Sequence, residues 1–110
     1  LCGKTNLMEL AALYARLDLL LSVDTGGGHI AAAGGAPLVT IFGCTSPRRW
    51  HPIGSAATVL TSHEPCCPCS YRETECPSYP RPNCLHHVLP EEALRACIAC
   101  LDGAVSAQNT

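Results

Sequence analysis

Leu19-Leu20-Leu21-Ser22-Val23-Asp24-Thr25-Gly26-Gly27-Gly28-His29-Ile30-Ala31-Ala32-Ala33-Gly34-Gly35-Ala36-Pro37-Leu38-Val39-Thr40-Ile41-Phe42 is the stretch that decides the fold. Leu19 to Val23 is a short run apolar on both faces, which suits a strand covered on both sides of a parallel sheet. Asp24 to His29 reads as a tight, glycine-dense turn. Ile30 to Ala33 is alanine-rich and helical in character, and Gly34-Gly35 provides a stop. Pro37 then leads into Leu38–Phe42, a second buried strand. Strand, glycine turn, short helix and strand make a βαβ unit, whose crossover is almost always right-handed.

Working outward, residues 5–17 read as a helix. Thr5 or Asn6 can cap its start, and Glu9 follows Asn6 at the capping-box spacing. Leu7, Leu10, Ala11, Tyr14 and Leu17 recur at helical spacing and give one apolar stripe. On the other side, Pro47, Arg48, Arg49, Trp50 and Pro52 mark a loop, and Ala57 to Thr61 is a third, shorter strand. From Ser62 to Leu89 the density of Pro, Cys and His excludes long regular elements. Pro90 is suited to the first position of a last helix, with Glu91 and Glu92 near its positive end. Leu94, Cys97, Ile98, Leu101 and Val105 form that helix's apolar stripe.

A chain of 110 residues makes one domain, and 47% apolar residues place it among globular proteins rather than disordered ones. Seven Lys and Arg residues and a formal charge of −2 leave no basic footprint for nucleic acid. The longest nearly apolar run, Ile30 to Phe42, is broken by Gly34, Gly35 and Pro37 and falls short of the ~20 residues of a membrane span. No secretory signal is visible, and the abrupt start without Met reads as a segment of something longer. Nine cysteines, an odd number, disfavour a complete disulfide framework, so reduced thiols are expected.

The chemistry is expected at the carboxyl ends of the strands, where parallel sheets bind ligands. Asp24 ends the first strand and Gly43 to Pro47 follow the second, so both loops border one crevice. Gly26, Gly27 and Gly28 let the backbone approach a ligand, and the N–H groups of a helix start attract phosphate. His29 is placed to donate a hydrogen bond to the same anion, Thr25 adds a hydroxyl, and Asp24 can accept from sugar hydroxyls. On these grounds alone a plain glycine-rich strand-to-helix connection is an equal reading.

Beyond this physical reading, Gly3-Lys4-Thr5, Leu20 to Gly26, His29 to Ala33, Pro37-Leu38-Val39 and Phe42-Gly43-Cys44-Thr45-Ser46-Pro47 together resemble glycosyltransferase family 9, the lipopolysaccharide heptosyltransferases. The later Cys-Pro-Cys, Glu-Cys-Pro and Pro-Glu-Glu elements look like the tail of several members. The resemblance implies an α/β fold: a partial Rossmann-like parallel sheet, from the C-terminal half of a GT-B type glycosyltransferase. Residues 1–110 would be the C-terminal part of the donor-binding domain, with a Cys-rich insertion at 63–89. Carried over position by position, Asp24, Thr25, Gly26 and His29 would contact the diphosphate and sugar of ADP-heptose or a similar sugar nucleotide, beside Gly27 and Gly28. Gly27-Gly28 departs from the Pro-Met or similar pair of many relatives, which leaves the donor's identity open.

The family's chemistry is inverting transfer without a required cofactor, in lipopolysaccharide core assembly. The presumed catalytic base and a phosphate-binding Lys belong to the part outside this segment, so no catalytic residue is expected here and the chain alone should be inactive. The acceptor, the lipopolysaccharide core, would be held by the N-terminal domain. The expected setting is the bacterial cytoplasm, with peripheral contact of the parent at the inner membrane.

Other constellations compete. Cys66, Cys69, Cys76 and Cys84 form a C-x2-C-x6-C-x7-C pattern with Cys67, His86 and His87 alongside. Four thiolates can staple a loop through a structural zinc, making a binding module with no catalytic parent; unmetallated thiols are the plainer reading. Asp24-Thr25-Gly26 also spells an aspartic-protease signature, but that enzyme needs paired aspartates and all-β surroundings. Gly3-Lys4-Thr5 lacks the earlier glycine of a P-loop and reads as a helix cap. Cys97 and Cys100 lie within the last helix, Cys97 on its apolar stripe, where Cys behaves as a small hydrophobe. Arg48, Arg49 and Trp50 either flank a nucleotide or form a solvated loop.

Overall fold

The structure, a computed structural model, describes residues 1–54, 57–69, 75, 76, 78, 80 and 83–108, the last five as backbone only. In chain order the elements are α1 (Leu7–Tyr14), β1 (Leu20–Val23), α2 (Gly26–Ala33), β2 (Leu38–Phe42), α3 (Pro47–Trp50), β3 (Ala57–Thr61) and α4 (Pro90–Gln108). The strands form one parallel sheet in the order β1-β2-β3. Leu20 pairs with Leu38, and Leu38 with Ala57. The α/β fold read from the sequence is present, with all three strands adjacent. The Asp-Thr-Gly triplet sits in parallel α/β surroundings, which do not match the protease alternative.

The capping box forms as its spacing requires. Asn6 accepts from the Glu9 amide at 2.9 Å, and the Glu9 carboxylate accepts from the Asn6 amide at 3.0 Å. The helix is shorter than the 5–17 expected. It ends at Tyr14 and relaxes into turns in which the Leu17 amide donates to the Tyr14 carbonyl. Leu7, assigned to the apolar stripe, is 72% exposed, whereas Leu10, Ala11, Tyr14 and Leu17 are half-buried.

The core is built on β2, whose Leu38, Val39, Thr40 and Phe42 are buried. Ala31 and Ala32 of α2, Ala36, Val88 and Ala93 of α4 complete it. Gly28 of α2 lies against Ser22 and Leu38, so those two side chains share the α2 face of the sheet. Leu21 and Val23 therefore point to the opposite face, where they remain 51% and 47% exposed. The cover expected on both sides of β1 is thus present on one side only.

Helix α4 begins at Pro90, as its proline and acidic first turn require, and packs across β2 and β3. Its inner face is not the stripe of large residues. Ala93 is buried and Ala96, Cys97 and Cys100 are half-buried, while Leu94, Ile98 and Leu101 are exposed. Small residues let the helix lie close to the sheet, where the Thr58 hydroxyl and the Cys100 thiol meet at 3.3 Å. Residues 70–74, 77, 79, 81 and 82 of the Cys-rich stretch, and the side chain of Val105, lie outside the described residues. Among the described residues, no helix is long and apolar enough to cross a membrane.

Candidate functional site at the carboxyl ends of β1 and β2

Asp24 follows β1 directly, and its amide still donates to the Ile41 carbonyl of β2 at 3.2 Å. That bond continues the ladder one residue past the strand and fixes the backbone from which the carboxylate projects. The Gly43–Ser46 loop after β2 brings Thr45 to the same rim. The Thr45 hydroxyl donates to Oδ2 of Asp24 at 2.6 Å, in a half-buried setting. The two loops therefore border a single crevice, as the strand order requires. Sequence reasoning named Thr45 only within the Phe-Gly-x-Thr-x-Pro pattern and gave it no role. Its signal was positional: a hydroxyl residue in the loop after the strand adjoining Asp24.

The glycines are placed differently from the turn expected of them. Gly26, Gly27 and Gly28 are the first three residues of α2, with Thr25 as extended N-cap. None of them has a positive φ, a conformation confined to Gly3 and Gly35 among the described glycines. A β-carbon on Gly26 would meet nothing within 4 Å, one on Gly27 would lie 3.3 Å from the Tyr14 hydroxyl, and one on Gly28 would touch Ser22 and Leu38 at ordinary contact distance. Gly26 is thus exposed to solvent, whereas Gly28 is buried against the sheet.

No side chain caps this helix start. The Thr25 hydroxyl turns back instead, 3.4 Å from the Val23 carbonyl and 3.5 Å from the Ser22 hydroxyl. The Gly28 amide donates to the Thr25 carbonyl. The leading amides of a helix have no intrahelical acceptor, so the open start at Gly26 and Gly27 presents positive potential beside the Asp24–Thr45 pair. His29 comes next on the helix and is exposed. Asp24 and Thr45 thus meet beside the start of α2 at Thr25, Gly26 and Gly27, with Gly28 buried beneath it and His29 exposed farther along the helix.

Arg48, read as a possible neighbour of a nucleotide, faces elsewhere. With Pro47, His51, Ala57 and Val59 it lines an open cleft of about 550 Å³ beside β3, to which Asp24 and His29 do not contribute. Arg49 stacks on Trp50 with its guanidinium 5.5 Å from the ring centre. This open cleft and the Asp24 rim do not coincide; the helix-start amides and the carboxylate belong to the rim.

The Cys-rich segment folds back onto the Gly43–Ser46 loop. The Cys69 amide donates to the Cys44 carbonyl at 2.6 Å, and the Leu85 side chain fills the place where a Gly43 β-carbon would stand, 2.8 Å away. His87 and Glu64 meet at 2.7 Å near the two ends of the segment. None of the nine cysteines is disulfide-bonded. Burial, and then the neighbouring Cys66 and Cys84 thiols, push the Cys67 thiol up to about 11. Burial likewise raises Cys84, helped by Cys44, and Cys97, helped by Cys100. Among the described residues no group of three or more His, Cys, Asp or Glu is gathered to hold a metal ion.

The model of glycosyltransferase family 9 (heptosyltransferase) matches residues 1–79. The chain is 38% identical over 64 residues to the lipopolysaccharide core heptosyltransferase OpsX of Haemophilus influenzae, covering 58% of this chain and 18% of that protein. It is 42% identical over 60 residues to lipooligosaccharide heptosyltransferase 2 of the same organism, covering 54% of this chain and 17% of the relative. The chain therefore spans about a fifth of the length of these curated relatives. A crystal structure of a family 9 glycosyl transferase from Veillonella parvula superposes with a TM-score of 0.72 at 27% identity, covering 90% of this chain and 28% of that one. Sequence motif, parallel-sheet architecture and matched family model agree, and the chain belongs to glycosyltransferase family 9, the heptosyltransferases.

Proposed function

We propose that this chain forms the donor-gripping part of an inverting heptosyltransferase of lipopolysaccharide core synthesis, a GT-B enzyme using ADP-heptose or a closely similar sugar nucleotide. The observation that carries the reading is the Thr45–Asp24 bond, which joins the loops after β1 and β2 beside the uncapped start of α2. Such a rim offers two chemistries side by side. Helix-start amides at Gly26 and Gly27 suit a diphosphate, whose charge they stabilise without any proton transfer. The exposed His29 adds a donor to the same anion, and the Asp24 carboxylate accepts from sugar hydroxyls.

In this reading residues 1–110 are the C-terminal part of the donor domain. The acceptor, a lipopolysaccharide core, is held by the remainder of the enzyme, which also supplies the general base that deprotonates the attacking hydroxyl. The donor is a substrate and the transfer uses no resident cofactor. The parent works in the cytoplasm, in peripheral contact with the inner membrane. The isolated chain accordingly binds donor and does not turn it over.

The test is a titration of the pure chain with ADP and ADP-heptose, followed by backbone amide NMR. Shifts concentrated at Asp24–His29 and Gly43–Ser46 are expected, with no sugar transfer to core acceptor. Shifts centred on the Arg48–His51 cleft instead, or turnover by the isolated chain, would overturn the assignment.

A further inference from the structure

We propose that Thr45 is a positioning residue that aims the Asp24 carboxylate, and that the Cys-rich segment holds Thr45 in place; this rests on the donor-binding reading above. A threonine hydroxyl has one proton to give, and here it goes to Oδ2 of Asp24 at 2.6 Å. The length lies in the range of charge-assisted O–H···O⁻ bonds. Among the described residues no cation forms an ion pair with Asp24, so Thr45 is the side chain that fixes its rotation. With Oδ2 engaged, Oδ1 is left to the ligand in a defined direction.

The loop carrying Thr45 is held from both ends. On one side the Leu85 side chain and the Cys84 sulfur lie 2.8 and 3.4 Å from where a Gly43 β-carbon would stand, and the Cys69 amide donates to the Cys44 carbonyl. On the other side the Ser46 carbonyl accepts from the Arg49 and Trp50 amides as α3 begins. Thr45 thus spans from a clamp to a helix start, and little conformational freedom remains to be lost when a ligand arrives. The Cys-rich segment thereby acquires a role: it backs the loop that orients Asp24.

The role predicts a selective defect. Asp24 is directed at the sugar, whereas the diphosphate is held by α2 amides that Thr45 does not touch. In the full chain, Thr45→Val is expected to weaken ADP-heptose about tenfold, the loss typical of one hydrogen bond to a charged group, while ADP changes by less than about twofold. Thr45→Ser restores the hydroxyl and the affinity. In an Asp24→Ala background Thr45→Val costs nothing more, because two residues acting through one contact are not additive. Leu85→Ala, which removes the clamp without touching the rim, gives a smaller loss of the same sugar-selective kind and carries the test if Thr45→Val does not fold. Equal losses for ADP and ADP-heptose, or losses that add to those of Asp24→Ala, overturn the proposal.

A wild-type chain that binds neither nucleotide would sink the donor-binding reading instead. The positioning bond is then judged separately, by the same four-variant cycle in ligand-free urea unfolding. Coupling between Thr45 and Asp24 sustains the bond, and additivity removes it.

Discussion

Cys67 carries a proton that the folded chain grips more tightly than the unfolded one does. Its thiol moves from an ordinary 9.0 up to about 11, with burial as the first cause. Below pH 9 the thiol is protonated in both states and the preference costs nothing. Between pH 9 and 11 the unfolded chain releases the proton and the folded chain keeps it, so stability falls as pH rises. Urea midpoints are expected to drop across that window, and Cys67→Ser should make the drop shallower; an unchanged slope would count against the shift. At this scale the sequence discloses what is local. The Asn6–Glu9 box follows from a three-residue spacing. Thr45 and Asp24 are 21 positions apart, and their bond exists only because β1 and β2 are neighbours. The Leu85–Gly43 contact is still less visible, since no periodic pattern links an irregular segment to a particular glycine.

Helix α2 is where punctuation misleads. Three successive glycines ordinarily signal a turn, yet these have helical company and no positive φ. Replacing glycine by alanine at a compatible helical position stabilises by about 0.5–1 kcal/mol. Gly28→Ala is therefore expected to raise the thermal midpoint, as its new methyl meets only ordinary contacts. Gly26→Ala should raise it too, but its methyl would stand in the open space at the helix start and weaken ADP binding. Thermal melts and nucleotide titrations of both variants check this, and equal ADP affinity for the two would argue that the ligand does not approach Gly26. The strands were more legible than this helix. Leu38–Phe42 and Ala57–Thr61 appear with the bounds their apolar runs suggest. In α4 the stripe divided: Cys97 is half-buried, while Leu94, Ile98 and Leu101 are exposed, because close approach to the sheet favours Ala93, Ala96 and Cys97.

For the molecule as a whole, β1 forms one edge of the sheet and carries two half-exposed apolar side chains, Leu21 and Val23. An edge strand with free hydrogen-bonding groups and no Lys, Pro or bulge to protect it invites pairing with another copy. The isolated chain is expected to self-associate with rising concentration in sedimentation velocity runs. Leu21→Lys should reduce that association; a chain that stays monomeric at high concentration would remove the concern. The order of the strands could be read from the βαβ rule, since each crossover is short and each strand apolar. The cover on β1 could not, because an apolar run records what a strand is suited to rather than what this chain supplies.

The Glu64–His87 contact has a consequence for tolerance to change. Because those two residues meet, the chain between them begins and ends at one place, an excursion closed at its base. The entropy of closing such an excursion grows only with the logarithm of its length. Additions far from Cys69 and Leu85 should therefore be absorbed without disturbing the strands, which makes the excursion a place to insert a reporter or epitope while leaving the rim intact.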